Sequence, residues 1–267
     1  MSVRLNVLTL RASSGYSSCV QCVARFGYAA KGIVYVMVGY IAARAAFAAG
    51  NPTDSSGALH ELLRSGGRWT VLVIAIGLAA YAAWLLVQAI RDPEHPDNKM
   101  SRRLFYLIPT VINASLAFTA FKLWRGRSSS GESDGSEKLA AELLSKPFGE
   151  ALVALVGLGV IAFAIQQLNV AIRGDITRQL NVKDPDGHRA LIALGRWGIA
   201  ARAVVFGILG AFFLEAARRH DPGAAGGMGD VLRSFGHGWL LGIVAVGLIA
   251  YGLFELANAA YRRIDVR

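Results

Sequence analysis

Charged residues are scarce in this 267-residue sequence. Asp, Glu, Lys and Arg together make up 17% of it, whereas about 25% is typical of soluble domains. Hydrophobic residues make up 54%, and the mean hydropathy is +0.42. A soluble protein with this composition would have almost no polar surface left once its core was filled. The composition therefore excludes an ordinary soluble globular protein.

Residue patterns that carry chemistry are also scarce. The two cysteines form a single Cys-x2-Cys at Cys19 and Cys22, but tetrahedral zinc requires four ligands and no second pair exists. The five histidines are dispersed over separate loops, at His60, His95, His188, His220 and His237. The sequence contains no P-loop and no Ser/His/Asp arrangement. We therefore expect no catalytic residue, no cofactor and no metal site, and a protein that is not an enzyme.

Long apolar runs are what the sequence has in abundance. Six stretches have the length of about 20 residues that a helix needs to cross the hydrocarbon of a bilayer. They are Tyr28–Phe47, Trp69–Ile90, Leu104–Trp124, Phe148–Ile172, Gly198–Ala217 and Trp239–Tyr261. The segments between them are short and polar. The sequence therefore predicts an all-α integral membrane protein built as one six-helix bundle.

Basic residues indicate how these spans are oriented. Six spans place both termini on one side, and more Lys and Arg residues fall on that side than on the other. Because basic loops are retained in the cytoplasm, we predict cytoplasmic termini and a location in the bacterial plasma membrane. The net charge of +10 then lies mostly beside anionic lipid headgroups. Anionic lipid is an expected partner, and nucleic acid is not, since no recognition helix or aromatic-basic platform is present.

The sequence repeats itself three times, with two spans in each copy. The second span of each copy has a glycine followed four residues later by an aromatic residue, at Gly77/Tyr81, Gly159/Phe163 and Gly247/Tyr251. Spans one and five begin with matching strings, RFGYAAK at Arg25–Lys31 and RWGIAAR at Arg196–Arg202. The middle copy, Arg103–Pro109, departs from this string, with Phe105 in place of the glycine and Pro109 in place of the basic residue. Such periods define the organisation of the whole chain.

The repeats divide the chain into a tail and three units. We predict a flexible N-terminal tail at 1–22 and repeats at 23–98, 99–182 and 183–267. Each unit crosses twice, so the copies are parallel repeats, which suggests a pseudo-threefold axis along the membrane normal. A short apolar patch before each even-numbered span predicts an amphipathic helix on the surface opposite the termini. The patches are Leu59/Leu62/Leu63, Leu139/Leu143/Leu144 and Met228/Val231/Leu232.

The paired openings and the Gly-x3-aromatic closings resemble a known family. They are similar to the bacterial membrane proteins grouped as domain of unknown function 1206, which are built from three two-helix repeats. The resemblance covers about Val23 to Arg263. It implies the architecture and the membrane location, and it implies no activity.

Three charged residues within the predicted spans stand out as candidates, because a charge at membrane depth costs several kcal/mol. Lys31 and Arg202 occupy equivalent positions in spans one and five, and Glu255 lies at a similar depth in span six. We predict that Glu255 pairs with Lys31 or Arg202. The group has two interpretations: a structural one, in which the charges neutralise each other or extend to the interface, and a functional one, as a site for a solute, ion or proton.

Further polar residues and one proline mark the middle repeat. Gln166, Gln167 and Asn113 are candidates for the same intramembrane site, although such residues often form hydrogen bonds between helices. Pro109 removes a helical hydrogen bond and predicts a kink in span three.

Three functions remain open from the sequence. The favoured one is a non-enzymatic scaffold or accessory subunit with a membrane-protein partner or in a homo-oligomer. The alternative is a small transporter or channel with a polar site at Lys31, Arg202 and Glu255. The third, a lipid-modifying enzyme, would rely on the acidic strings at Asp92/Glu94/His95 and Asp184/Asp186/His188, which are typical of turns beside proline.

Overall fold

The chain folds into helices wherever its structure is described. A computed structural model describes residues 2–47, 52, 55–91, 100–126, 135–174, 176, 180, 185–236 and 238–262. They form eight α-helices and one short 3₁₀ helix, Pro222–Ala224. The α-helices are α1 (Ser2–Phe47), α2 (Ser55–Arg91), α3 (Met100–Trp124), α4 (Gly135–Leu144), α5 (Gly149–Arg173), α6 (Pro185–Arg219), α7 (Met228–Ser234) and α8 (Trp239–Tyr261). No strand occurs within these ranges, so the predicted all-α class is confirmed.

Six of the helices are long and apolar enough to cross a membrane. They are α1, from Gln21 onward, and α2, α3, α5, α6 and α8. Each contains one of the predicted spans, and α8 has the predicted bounds. An even number of spans leaves both ends of the chain on one side, which we call the terminal side. The other side is the opposite side.

The first helix is longer than expected. It begins at Ser2, so residues 2–22 of the segment that the sequence assigns to a tail are helical, while the flexibility of that segment stays a prediction. The first proline of the chain is Pro52, and a helix that meets no proline has no strong residue-level stop. Span five is likewise extended, since α6 begins at Pro185, a residue whose fixed φ suits the first turn of a helix.

The three predicted amphipathic helices are present on the opposite side. Two are the separate helices α4 and α7, and the third is the first part of α2, residues 55–66. Gly67 separates that part from the span with φ 76° and ψ 178°, a backbone region that only glycine adopts easily. Leu59, Val231 and Leu232 are buried, so these helices cover the opposite end of the bundle.

The short helix α7 is held in place by its own acidic residue. The Asp230 carboxylate accepts hydrogen bonds from the Gly227 N–H (2.9 Å) and from Arg233 (2.5 Å). Burial raises the pKa of Asp230, but these donors outweigh it and hold the pKa below its usual range. The charged form of Asp230 therefore fixes the first turn of α7.

The six spans pack in chain order around a central core. Extended contacts join α1 to α2, α2 to α3, α5 to α6, α6 to α8, and α8 back to α1. The first and last spans approach so closely that a Cβ added to Gly32 would lie 2.8 Å from the Gly252 carbonyl oxygen, and one added to Gly252 would lie 2.7 Å from that of Gly32. Neighbouring repeats are therefore joined in sequence, while the pseudo-threefold axis itself stays a prediction.

The repeated glycine and tyrosine residues join the two spans of repeats one and three. A Cβ on Gly27 would lie 2.8 Å from the Cα of Tyr81, and one on Gly198 would meet the backbone of Tyr251. In the reverse direction, Gly77 faces Ala30 and Gly247 faces Ala201. These contacts occupy the same positions in both repeats. The sequence motifs therefore encode close packing within a hairpin.

The middle hairpin lacks these contacts. Gly159, which corresponds to Gly77 and Gly247, has no atom within 4 Å of the place where a Cβ would stand. The spans α3 and α5 scarcely touch. The helix α3 continues through Pro109, so the kink predicted at this residue stays a prediction. The departures of repeat two from the motif thus coincide with a hairpin whose two spans lie apart.

Candidate functional site

A cavity of about 380 Å³ lies between the spans in the terminal-side half of the bundle. All six spans contribute to its wall. Its position follows from the residues that line it: Tyr28 stands early in the membrane part of α1, while Gln88 and Asn258 stand near the ends of α2 and α8. The cavity therefore lies at the membrane depth where the sequence places the charged residues.

An ion pair crosses the cavity wall between the first and last spans. Lys31 Nζ lies 2.8 Å from Glu255 Oε1, and it also donates a hydrogen bond to the Tyr81 hydroxyl at 3.0 Å. The two side chains are 3% and 5% exposed. Burying a charge costs free energy unless an opposite charge and hydrogen bonds compensate it. The pairing predicted for Glu255 is confirmed, with Lys31 as the partner.

Arg202 is held by aromatic side chains. Its Nε donates to the Tyr35 hydroxyl at 3.2 Å, and its Nη1 donates to the Tyr251 hydroxyl at 3.1 Å. The guanidinium carbon also lies 4.8 Å from the ring centre of Phe206 and 5.5 Å from that of Phe163. A planar guanidinium is stabilised by such stacking. Arg202 thus connects α6 to α1, α5 and α8.

The cavity wall has a surplus of positive charge deep in the bundle. Lys31 and Arg202 are two buried cations, and Glu255 is the one buried carboxylate that faces them among the described residues. Two acceptor oxygens also have no hydrogen-bond partner within the described chain, Glu255 Oε2 and Gln166 Oε1. Buried polar atoms are normally satisfied, so the cavity wall combines a surplus of positive charge with two unsatisfied acceptors that neighbouring atoms cover.

Most of the candidate residues from the sequence meet at this cavity. Six of the seven line its wall: Lys31, Arg202, Glu255, Gln166, Gln167 and Pro109. Asn113 does not, because its amide nitrogen donates to the Pro109 carbonyl at 2.7 Å within its own helix. It is buried, and its part in a site stays a prediction.

Sequence reasoning missed the tyrosines of this site. It attributes the aromatic residue of each Gly-x3-aromatic closing to packing, whereas the hydroxyls of Tyr81 and Tyr251 also accept hydrogen bonds from Lys31 and Arg202. The signal was the hydroxyl itself: repeats one and three have tyrosine where repeat two has Phe163, and the two tyrosines belong to the repeats that carry the basic residue.

The opposite half of the bundle is closed by apolar packing. Val34, Val38 and Leu78 are fully buried there, as are Leu241 and Leu248 of α8. They belong to one continuous hydrophobic cluster. The cavity therefore does not extend through the bundle as a pore.

The described residues include no group of three His, Cys, Asp or Glu side chains that could hold a metal ion. Cys22 is a free, exposed thiol, and nothing is described of the Cys19 side chain. Asp92, Glu94, His95 and Asp184 fall outside the described residues, so the acidic strings stay untested.

Six apolar helices in three sequence repeats define a multi-pass membrane protein. The chain belongs to the family named Domain of Unknown Function (DUF1206), whose model matches residues 26–92, 105–174 and 197–262. It is similar to the Uncharacterized protein YxxB of Bacillus subtilis (strain 168), with 33% identity over 250 residues that make up 90% of each chain. No solved structure matches the chain. The three matched segments coincide with the three repeats, and the relative is bacterial.

Proposed function

We propose that the protein is a small membrane transporter that binds an anionic solute in the cavity on the terminal side. The observation that carries this proposal is the convergence of Lys31, Arg202 and Glu255 on one cavity lined by all six spans. One carboxylate cannot neutralise two cations, so the net charge of the wall favours an anion.

The two halves of the bundle favour a transporter over a channel. A channel needs a continuous polar path, whereas Val38, Leu78 and Leu248 fill the half opposite the cavity. A binding site that is closed on one side corresponds to one state of an alternating-access cycle. The second state would open the apolar half and close the terminal side, with the parallel repeats moving against one another.

The same contacts also support the scaffold interpretation favoured by the sequence. Lys31 joins α1 to α8, and Arg202 joins α6 to both of them. In that case the charges stabilise the bundle and the cavity has no ligand. The two proposals differ in one measurable respect, which is whether a charged solute reaches the cavity.

Thiol accessibility distinguishes them. In a Cys19→Ser/Cys22→Ser background, Gln167→Cys places one thiol on the cavity wall. We expect it to react from the terminal side, which we predict to be cytoplasmic, with membrane-impermeant methanethiosulfonates. The anionic sulfonatoethyl reagent should react about tenfold faster than the cationic trimethylammonium-ethyl reagent, because a positive wall concentrates anions.

Two single-cysteine controls fix the scale of this experiment. Cys22, exposed on α1, gives the intrinsic ratio of the two reagents outside the cavity, and Val38→Cys should stay unmodified in the packed half. Slow reaction at Gln167→Cys from the opposite side would support alternation. An unreactive Gln167→Cys in a correctly folded protein would contradict the proposal and leave the scaffold.

A further inference from the structure

We propose that the solute of this cavity is an anionic phospholipid with a hydroxyl-bearing headgroup, such as phosphatidylglycerol, and that it enters from the bilayer between α3 and α5. The inference rests on the proposed function, because it names the substrate class of the same cavity. Four observations support it: the parted middle hairpin, the cavity wall beside it, the size of the cavity and the charges inside.

The first observation is the gap between α3 and α5. Every other neighbouring pair of spans in the described bundle packs closely. In repeats one and three, Gly77 and Gly247 face an alanine of the partner span, but Gly159 faces open space. Because the equivalent glycines of repeats one and three face the other span of their hairpin, we infer that this open space lies on the side of α5 that turns toward α3. Helix packing therefore does not close the seam between α3 and α5.

The second observation is that the seam lies beside the cavity at membrane depth. Tyr106 and Pro109 of α3 and Gln167 and Val170 of α5 all line the cavity. Deeper in the bundle, the side chains of Ile108 and Ile112 of α3 pack against the cluster around Phe163 of α5. A barrier made of side chains opens by rotamer changes, which are fast and need no helix movement.

The third observation is size. A volume of about 380 Å³ is near the lower end of the range of about 300–1,000 Å³ for small-molecule sites. It accommodates a phosphate with a small polyol, but not two acyl chains. The chains of a lipid would remain in the seam, where α3 and α5 present apolar side chains to the bilayer, among them Val111 and Ile165 at 66% and 63% exposure.

The fourth observation is chemical complementarity. The phosphate supplies one negative charge to a wall whose cations, Lys31, Arg202 and Arg262, outnumber its one carboxylate, Glu255. Glu255 Oε2 and Gln166 Oε1, the two acceptors without a partner in the described chain, are covered by neighbouring atoms, and the hydroxyl groups supply donors for them once a side-chain rotation turns them toward the cavity. A choline headgroup has no hydrogen-bond donor. The ammonium group of an ethanolamine headgroup cancels the charge of the phosphate, so the surplus of positive charge in the cavity wall would remain. A headgroup with a phosphate and hydroxyls alone meets both requirements.

The experiment measures protection of Gln167→Cys from the anionic reagent in full-length protein reconstituted in phosphatidylcholine nanodiscs. Added dioctanoyl phosphatidylglycerol should slow the reaction about tenfold. Dioctanoyl phosphatidylcholine and phosphatidylethanolamine should not change it. Glycerol phosphate, a monoester that has the glycerol and the phosphate of this headgroup but a second ionisable oxygen and no chains, should protect only at much higher concentration.

A substitution at the seam tests the route of entry. Gly159→Trp places a large side chain in the open space, where an added Cβ meets no atom within 4 Å, and should abolish protection by the lipid, while the reaction in its absence stays the same. Leu158→Trp adds the same side chain at a neighbouring residue that is 56% exposed and should change neither rate. Gly159→Trp protein that is still protected would overturn entry through the seam.

The outcomes separate this inference from the proposed function. Equal protection by glycerol phosphate and by the lipid would overturn the lipid while leaving an anion transporter. Equal protection by phosphatidylethanolamine would overturn the requirement for net negative charge. A thiol that reacts with no reagent at all would contradict the proposed function itself, before any lipid is added.

Discussion

The two halves of the bundle are built from the same helices and differ in almost everything else. On the terminal side, α1 and α8 present Lys31 and Glu255 to a cavity. About two turns further along the same helices, Val38 and Leu248 are fully buried in an apolar core. Among the described residues, the buried charges lie at one membrane depth, where an ion pair and tyrosine hydroxyls compensate them. At the other depth, the close packing of apolar side chains closes the bundle.

The largest expected effect on stability comes from breaking the ion pair in the charged half of the bundle. Glu255→Gln should lower the free energy of unfolding by about 3–5 kcal/mol, because it leaves Lys31 as an uncompensated buried charge. Reversible unfolding in mixed micelles measures this loss. Glu142→Gln on the exposed surface of α4 is the matched control and should have no effect.

A double variant shows whether the stability lost by Glu255→Gln is caused by the broken ion pair or by the loss of a charged group as such. Lys31→Met/Glu255→Leu removes both charges, and it should recover most of the stability lost by Glu255→Gln, since an apolar pair can replace a buried ion pair. A Glu255→Gln protein as stable as the original would contradict the view that the pair compensates buried charge.

A smaller effect on stability tests the difference between the closely packed hairpins of repeats one and three and the separated hairpin of repeat two. Gly198→Ala should destabilise by about 1–3 kcal/mol, because the new methyl group meets the backbone of Tyr251 and a packed helix must move. Gly159→Ala should stabilise by up to about 1 kcal/mol, since alanine is the better helix former and nothing obstructs it. Opposite signs are the expected result of the unfolding measurements, and equal losses would mean that α3 and α5 pack closely after all.

The smallest effect tests the edge of the site. Asn113→Leu removes one hydrogen bond within α3 and should cost no more than about 1 kcal/mol. It should also leave the thiol reaction at Gln167→Cys unchanged. Gln166→Leu, which removes an acceptor from the wall, should weaken protection by phosphatidylglycerol in the same assay. An effect of Asn113→Leu as large as that of Gln166→Leu would place Asn113 in the site.

The spans and the level of the charges could be predicted because both depend on simple lengths. A stretch of apolar residues fixes a crossing, and counting residues from its end fixes the depth of Lys31, Arg202 and Glu255. The ion pair follows from the high cost of a lone charge at that depth. The coverage of the opposite side by short helices likewise follows from the spacing of leucines such as Leu59 and Leu62.

Other features depend on which face of a helix meets which neighbour, and a single sequence does not specify that. Asn113 and Gln166 look alike in the sequence, yet one faces its own helix backbone and the other the cavity. The rings of Tyr81 and Tyr251 pack against the other span, and their hydroxyls bind Lys31 and Arg202 at the site. The sequence repeat reveals only the packing role. Phe105 and Pro109 replace the glycine and the basic residue of the motif in repeat two. They predict separated spans in that hairpin only once the packing role of the motif is known.

The ion pair between the first and last spans has a consequence for biogenesis. Lys31 and Glu255 are 224 residues apart, so the first span is inserted into the bilayer long before its partner is synthesised. Until α8 arrives, the lysine must remain hydrated at the membrane surface or be shielded by the insertion machinery. The last span then neutralises that charge and completes the ring through Gly32 and Gly252 at the same time. A chain truncated before α8 keeps an exposed intramembrane charge, which is a signal that membrane proteases can read.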